Sequence, residues 1–373
     1  MKLKVDVRTY TMVAALITIW VMFYLLEPTF LRARNLSNLA RQMSETGILA
    51  IGMVYVIVSG NIDLSVGSLA GLTGGIAAMV NVWANQGSSA SVGGAVIAGL
   101  VAGTLQGVIV AYRRIPAFIV TLGGLMAFRG TLWAATKAKS IPLRPGFFKD
   151  IGKGYLPQVW GWVFAGAVVS CIVFSAVKRA RQFRKFRGEA FIEKPGLARS
   201  AILAALTVLF VFVMSSYEGV SYPVLILVAL SALLHVLSRR TRFGRHVYAI
   251  GGNPEAARLS GINVRKNILA VFMLMGFLSA VAGVVMTSRL ACSSSTTGQL
   301  MELNAIAACV IGGCSLMGGR GKISGAILGA LIMSSLDNGL SLQNVDIAYQ
   351  YIIKGFALVI AVSIDVASKR RNG

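Results

Sequence analysis

The sequence predicts an all-α protein that crosses a membrane many times. Hydrophobic residues make up 56% of its 373 residues, and the mean hydropathy is +0.73. Soluble domains reach only about 45–50% apolar residues, even when glycine is counted. The apolar residues collect in runs that approach or reach the roughly 17–25 residues a helix needs to cross the hydrocarbon core. These observations indicate a single polytopic helical bundle.

Twelve apolar runs are candidate transmembrane helices, and we expect 10–12 of them to cross the bilayer. In chain order they cover residues 11–26, 46–60, 66–84, 91–112, 115–134, 159–177, 199–215, 222–237, 267–288, 304–318, 323–340 and 347–365. The runs 46–60, 222–237 and 304–318 are short, so they are extended by flanking polar residues, tilted, or re-entrant. The sequence leaves open whether 46–60 and 304–318 span fully.

Lysine and arginine are distributed unevenly between the two sides of this arrangement. With the amino terminus inside, 25 of the 36 basic residues fall on inner segments and 9 on outer segments. Positive residues concentrate on the cytoplasmic side of membrane proteins. Both termini and the polar segment 239–266 are therefore predicted to be cytoplasmic. The basic residues form short clusters and no continuous stripe, which argues against a nucleic-acid-binding protein.

Small residues recur at four-residue spacing within the apolar runs. The two clearest series are Gly99, Gly103 and Gly107, and Gly321, Gly325 and Gly329. Such spacing lets helix backbones approach closely inside a membrane bundle. These glycines are predicted to form packing faces.

The cytoplasmic segment contains a short helix over residues 254–260 with its own start and stop. Asn253 is a good N-cap, and Pro254 fits the first helical position because that amide has no intrahelical partner. Gly261 can take the left-handed conformation that ends a helix. A helix of about 10 Å is marginal in water without a partner to pack on. The segment is therefore predicted to dock onto a soluble partner.

The side chains of this helix suggest how it would dock. Glu255 and Arg258 complement the helix dipole and are expected to face a charged partner surface. Ala256, Ala257 and Leu259 are expected to supply apolar contact. The predicted docking residues are Gly252, Asn253, Pro254, Glu255, Ala256, Ala257, Arg258, Leu259, Ser260 and Gly261.

Asp63 is the clearest charged residue near membrane depth, and it lies between two apolar runs in the segment 59–68. Buried charges in membrane proteins often mark a transport pathway, and a buried turn must line a cavity or be enclosed by protein. Ser65 and Ser68 are expected to cap the helix that follows. A capping turn at the cytoplasmic surface explains the motif equally well, so both interpretations stay open.

Other polar residues are weaker candidates for the pathway of a neutral sugar. The full predicted set is Asn61, Asp63, Ser65, Phe118, Thr121, Asn304, Asp337, Asn338 and Gln350. Asp337 and Asn338 are explained slightly better as the stop of an outer helix end. Arg129 and Lys354 are each expected to snorkel to an interface, Lys354 more so than to serve a pore.

Catalytic, nucleotide-binding and metal-binding residues are not expected in this chain. Residues 318–324 are not a phosphate-binding loop, because that motif needs Ser or Thr where Ile323 stands and glycine where Leu316 stands. The two histidines, His235 and His246, form no catalytic pattern. The four cysteines lack metal-site spacing and are interpreted as small buried hydrophobes: Cys171, Cys292, Cys309 and Cys314. No cofactor is expected on this chain.

Five segments together resemble the ribose/xylose-type permeases of bacterial ABC importers. They are residues 60–68, 116–122, 243–264, 303–313 and 335–340. Within that family the chain is most similar to the D-xylose type, because of the stretch 41–49 and the hydrophobic pair in 159–215 around a basic loop. Ribose-type members resemble a ten-helix core without that pair.

The resemblance implies a type II ABC importer-like helical bundle with a ten-helix core and a two-helix insertion at 159–215. It implies that segment 239–266 is the coupling loop for a separate cytoplasmic ATPase, which uses ATP and Mg. It further implies that two copies of the chain lie in the lipid of a bacterial inner membrane. They would import a monosaccharide, foremost D-xylose, that a periplasmic binding protein delivers.

Alternatives to this function remain open. One is a permease for ribose or another sugar. Another is an ion-coupled secondary transporter, although such proteins generally carry intramembrane acid or histidine relays, and this chain offers few candidates beyond Asp63. A channel is a third alternative, which the separately capped cytoplasmic helix disfavours.

Overall fold

The computed structural model describes residues 7–187 and 194–370, and nearly all of this chain is helical. The helices are α1 Val7–Leu26, α2 Ala33–Val58, α3 Val66–Val82, α4 Ser88–Arg113, α5 Ala117–Thr136, α6 Phe147–Lys153, α7 Gln158–Arg187, α8 Lys194–Ser215, α9 Tyr222–Arg240, α10 Arg242–Gly252, α11 Pro254–Leu259, α12 Val264–Leu290, α13 Met301–Ile311, α14 Ile323–Leu342 and α15 Ile347–Arg370. Two short strands, β1 Ile141–Pro142 and β2 Cys292–Ser293, pair antiparallel.

The predicted fold class is confirmed, and each of the twelve apolar runs coincides with a helix. Six of the described helices are long and apolar enough to cross a membrane by themselves, namely α4, α5, α7, α9, α12 and α14. The basic residues Lys2, Lys4 and Arg371, which entered the orientation count, and the centre of the basic loop at 188–193 lie outside the described residues.

The short run 46–60 belongs to a long helix. Helix α2 has 26 residues and extends for about 39 Å at ~1.5 Å per residue, which exceeds the bilayer core. Its polar amino-terminal half is helical because its polar groups are paired: Glu45 forms an ion pair with Arg289, and the Ser44 hydroxyl donates to the Ala40 carbonyl at 2.8 Å. Extension by flanking polar residues therefore explains this run.

The run 304–318 does not form a spanning helix. Helix α13 has 11 residues, which give about 16 Å and cannot cross a core of about 30 Å. The chain before it runs back along α3, where Gly71 lies against the Thr297 carbonyl and Gly67 against the Gly298 carbonyl. Helix α13 is therefore the helical half of an interrupted crossing, not a re-entrant loop, because the chain before it is assigned to the outer side and the chain after it to the inner side. We call residues 291–311 the interrupted segment. Irregular backbone at this depth must be enclosed by protein.

Glycines join the central helices, as their spacing predicted. A Cβ atom on Gly99 would overlap the Gly276 carbonyl oxygen of α12, and one on Gly103 would overlap the Phe272 carbonyl. On the other side, a Cβ on Gly329 of α14 would overlap the Ala308 carbonyl of α13. Helix α12 thus packs backbone-to-backbone on α4, and the main core lies around α2 and α12.

Candidate functional site

The predicted docking helix is present and is held by the residues that were expected to cap it. In α11 the Asn253 side-chain oxygen accepts hydrogen bonds from the amides of Glu255 at 3.0 Å and Ala256 at 2.9 Å. At the other end Gly261 has φ +82°, and the Ile262 amide donates to the Ala257 carbonyl at 3.1 Å. This pattern is a glycine-terminated helix end. The sequence therefore predicted both boundaries correctly to within a residue.

The two charges of α11 pair with each other on the surface. A guanidinium nitrogen of Arg258 lies 2.6 Å from a carboxylate oxygen of Glu255, and both side chains are 65% exposed. The hydrogen bonds from Arg258 lower the pKa of Glu255. Pairing does not remove these groups from a partner, because an exposed ion pair contributes little to folding and stays accessible.

The apolar contact expected from α11 is only partly available. Leu259 is 76% exposed and Ala256 is also exposed. Ala257 instead is buried within the chain, with 4% exposure. The expectation that Ala257 contacts a partner is therefore wrong in this structure, because its position in the helix directs it inward. Leu259 is the principal apolar side chain offered outward.

A second short helix, α10, precedes α11 and was not predicted. The Thr241 hydroxyl caps it by accepting from the Gly244 amide at 3.2 Å. Its ring-bearing residues fasten it to the membrane helices: Phe243 stacks on Tyr55 of α2 with centroids 6.1 Å apart, and the Tyr248 hydroxyl donates to the Gly321 carbonyl at 2.8 Å. The capping threonine and the apolar spacing of Phe243 and Val247 were the available signals.

The carboxyl end of α10 meets two other segments in a contact that we call the glycine joint, formed by Val58, Gly251, Gly318 and Gly319. The Gly319 amide donates to the Val58 carbonyl at 2.9 Å. A Cβ atom on Gly251 would overlap that same carbonyl oxygen and would come within 2.7 Å of the Gly319 nitrogen. Gly318, at φ +83°, packs on Gly251 and on Gly60. Three segments thus touch through backbone atoms alone.

Asp63 forms a buried capping turn between α2 and α3. One carboxylate oxygen of Asp63 accepts the Ser65 amide at 2.8 Å and the Ser65 hydroxyl at 2.7 Å, and Asp63 is 2% exposed. The Gln106 side-chain nitrogen donates to the Ser65 hydroxyl at 2.9 Å, and Thr121 accepts from the Leu64 amide at 3.1 Å. Ser65 is the N-cap residue of α3, as expected, and its carbonyl accepts from the Leu69 amide at 2.8 Å, while its hydroxyl bonds Asp63 and Gln106. Ser68 lies within the first turn of α3 and is not the cap.

The interrupted segment contains a second buried carboxylate, Glu302, at the start of α13. Glu302 is 5% exposed, and its Oε2 atom has no hydrogen-bond partner among the described residues. It lies against Gly67 of α3, close to the Asp63 turn. Sequence reasoning missed Glu302 because it precedes an apolar run and appeared to belong to an outer loop.

Arg129 and Lys354 do not snorkel, contrary to expectation. An Arg129 guanidinium nitrogen donates to the carbonyls of Ser295 at 3.1 Å and Thr297 at 2.7 Å, and so holds the interrupted segment to α5. The Lys354 ammonium lies 3.0 Å from an Asp337 carboxylate oxygen, with 15% side-chain exposure. Each cation has a partner within the bundle, which removes the reason to reach an interface.

The predicted pathway residues do not converge on one cavity in a single chain. Asp63, Ser65 and Thr121 share the buried turn, whereas the remaining members lie apart. Asn338 exchanges hydrogen bonds with Asn35 at 2.8 and 3.1 Å. The other positions are Asn61, bonded to Ser59, Gln350, bonded to the Val345 carbonyl, Asn304, partly buried on α13, and Phe118, 53% exposed on α5.

Comparison with known proteins gives one coherent result. Residues 35–362 match the family model described as the branched-chain amino acid transport system/permease component. The xylose transport system permease protein of Haemophilus influenzae is 44% identical over 99% of both chains. Its Escherichia coli counterpart is 43% identical over 99% of this chain and 94% of its own. The ribose import permease protein of E. coli is 35% identical over 91% and 88%. No solved structure matches.

Proposed function

Because the chain belongs to the family of transport-system permease components matched over residues 35–362, we propose that it imports a monosaccharide, D-xylose foremost. The xylose permeases are 43–44% identical to it and the ribose permeases 34–35%, which favours xylose over ribose. The chain is a permease subunit and not an enzyme. The energy comes from hydrolysis of ATP, which a separate cytoplasmic ATPase binds together with Mg. A periplasmic binding protein delivers the sugar.

The observation that carries this proposal is an exposed capped helix fastened to the bundle. Helix α11 presents Leu259, Glu255 and Arg258 outward while its backbone is fixed at both ends. An ATPase that closes on ATP needs a rigid element to push, and a helix with all its end groups paired resists bending. A solvated loop would not require this construction.

The glycine joint provides a mechanical route from α11 to the membrane. Movement of α10 and α11 presses directly on the carboxyl end of α2, since Gly251 contacts the Val58 carbonyl without an intervening side chain. Five residues further on is the buried turn of Asp63, which abuts α4 through Gln106 and α5 through Thr121. Close-packed backbone contacts transmit displacement with little slack. We propose that the Asp63 turn and the interrupted segment move when the ATPase closes.

The proposed pathway keeps the predicted residues Asn61, Asp63, Ser65, Phe118, Thr121, Asn304, Asp337, Asn338 and Gln350, and adds Glu302. Two of these groups, the Asp63 turn and the start of α13, are interruptions of membrane helices that lie next to each other. Interrupted helices in transporters commonly bind substrate. A second copy of the chain is proposed to close the pathway.

The proposed setting is the bacterial inner membrane, with both termini cytoplasmic and lipid around the bundle. The contacts of the chain support the division of its segments between two sides, and the distribution of basic residues favours one of these sides as the cytoplasmic one. The glycine joint unites only segments assigned to the inner side by the distribution of basic residues. The β1–β2 pair and the Asn35–Asn338 bonds unite segments assigned to the outer side.

The decisive experiment reconstitutes the permease with its ATPase and binding protein in liposomes. D-xylose, ribose and galactose are each tested for stimulation of ATP hydrolysis and for uptake. We expect D-xylose to stimulate most strongly and uptake to persist after proton and sodium gradients are collapsed. Uptake that stops with the gradients and continues without ATP would favour the ion-coupled alternative.

A further inference from the structure

A polar cavity of about 410 Å³ lies at the predicted outer face, and none of the predicted pathway residues lines it. We call it the outer cavity. Three residues of the first turns of α2 form one wall, among them Asn38 and Arg41. The opposite wall comes from the two connectors that flank the α7–α8 pair, through Tyr155 and Tyr217.

The connectors are fixed to each other, so the outer cavity is a built feature. Tyr155 forms an isolated β-bridge with Ser221, and the Leu156 amide donates to the Val220 carbonyl at 2.8 Å. This pairing sets the Tyr155 and Tyr217 rings edge to face with centroids 6.1 Å apart. Two aromatic rings therefore stand at one side of a polar cavity.

The outer cavity carries charged groups of both signs. Arg289 lines it, but its guanidinium is paired with the buried carboxylate of Glu45. Arg41 and Lys153 remain, opposed by the exposed carboxylate of Glu218, so one positive charge is left uncompensated. Hydrogen-bond donors and acceptors therefore line the same cavity, which suits a ligand with several hydroxyl groups.

Arg41 also has an unsatisfied donor. Its guanidinium lies 5.3 Å from the centre of the Tyr155 ring, and it donates one hydrogen bond to Asn38. Its Nε atom is buried and has no hydrogen-bond partner among the described residues. A buried donor without an acceptor costs free energy. Because this atom is closed to solvent, a ligand in the cavity would bond those parts of Arg41 that line it.

We propose that the outer cavity binds a neutral polyhydroxylated solute of the monosaccharide class. Amide, carboxylate and cationic groups can bond sugar hydroxyls as donors and acceptors, and the tyrosine rings can cover the apolar face of a sugar ring. The identity of that sugar rests on the proposed function, and the cavity then serves as an outer contact for the transported sugar beside the α7–α8 pair.

The test measures direct binding of D-xylose to the permease–ATPase complex in nanodiscs, without binding protein or ATP, by saturation-transfer-difference NMR. We expect a saturation signal on the sugar that falls at least about fivefold in the Tyr217→Ala and Arg41→Gln variants. Tyr349→Ala removes a tyrosine that is 63% exposed on α15 and is the matched control, which should keep the signal.

An unchanged signal in Tyr217→Ala and Arg41→Gln would overturn the proposal. The proposal would also be overturned if the wild-type complex gave no sugar signal while the two variants lost capture of the binding protein. The cavity would then bind a side chain of that partner. Failure of the proposed function is recognised separately, because sugar-stimulated ATP hydrolysis would then be absent from the wild-type complex whether or not the cavity binds sugar.

Discussion

The amide of Gly319 donates a 2.9 Å hydrogen bond to the carbonyl of Val58, and so joins the loop before α14 to the end of α2. Gly251 of α10 packs on the same carbonyl. Helix α10 is thus in backbone contact with two segments that are distant from it in sequence, the end of α2 and the loop before α14. This contact gives the first prediction.

Gly251→Ala should uncouple ATP hydrolysis from transport. The added methyl group would overlap the Val58 carbonyl oxygen, which is backbone and cannot rotate away, so α10 must shift. Gly93→Ala on α4 is the matched control, because nothing lies within 4 Å of a Cβ there and the residue is outside the predicted docking set. We expect sugar-stimulated hydrolysis in proteoliposomes to fall at least about tenfold, a loss of about 1.4 kcal/mol in coupling, only for Gly251→Ala. Equal activity of the two variants contradicts the proposed route. Tyr248→Phe, which removes only the 2.8 Å bond to Gly321, gives a milder test of the same route.

Gly261→Val should also abolish coupling while leaving the permease inserted in the membrane. Position 261 has φ +82°, and a β-branched residue is strongly disfavoured there, whereas asparagine is tolerated. Gly261→Asn should therefore retain most of the stimulation. If valine and asparagine reduce ATPase stimulation equally, the conformation of the helix end is not what matters.

Glu255→Lys should abolish stimulation of the ATPase without lowering the melting temperature of the permease. The Glu255–Arg258 pair is exposed on both sides, and exposed pairs contribute only about 0–1 kcal/mol to stability. A large functional loss must then come from contact with the partner. Thermal unfolding in detergent and ATPase assays on the same preparation separate the two effects. Retained stimulation would show that the partner does not contact this charge.

Asp63→Ala should destabilise the protein more than Asp63→Asn. Alanine leaves the Ser65 amide and hydroxyl without the oxygen they share, whereas the asparagine carbonyl can still accept both bonds. Loss of a buried bond typically costs about 1–3 kcal/mol. Unfolding in detergent, followed by tryptophan fluorescence, checks the order of stability. Equal destabilisation by the two variants, which both lack the charge, would indicate that the charge and not the turn geometry is required.

Arg129→Gln should loosen the interrupted segment. The guanidinium bonds to the carbonyls of Ser295 and Thr297 hold this segment to α5, and glutamine is too short to make both. We expect faster amide exchange in residues 294–300 and lower uptake, measured by hydrogen–deuterium exchange and transport assays. Thr131→Val on the exposed face of α5 is the control. Unchanged exchange in Arg129→Gln would mean that other contacts hold the segment.

The sequence predicted those features that depend on local physics. Each apolar run overlaps a helix of the described residues, and the Asn253 cap and the Gly261 stop located α11, because capping depends on residues close in sequence. Helix α10 was missed although its signals were present, since the nearby polar residues suggested a loop.

Only the tertiary structure decided which distant residues meet. The glycine joint connects Val58, Gly251 and Gly319, and the outer cavity combines α2, α12 and two connectors, so neither has a signature at fixed spacing. The same holds for Arg129, whose partners lie on the interrupted segment, and for Glu302, whose burial depends on how that segment packs against α3. Hydropathy and capping are properties of neighbouring residues, whereas close backbone contacts arise only when separate helices pack.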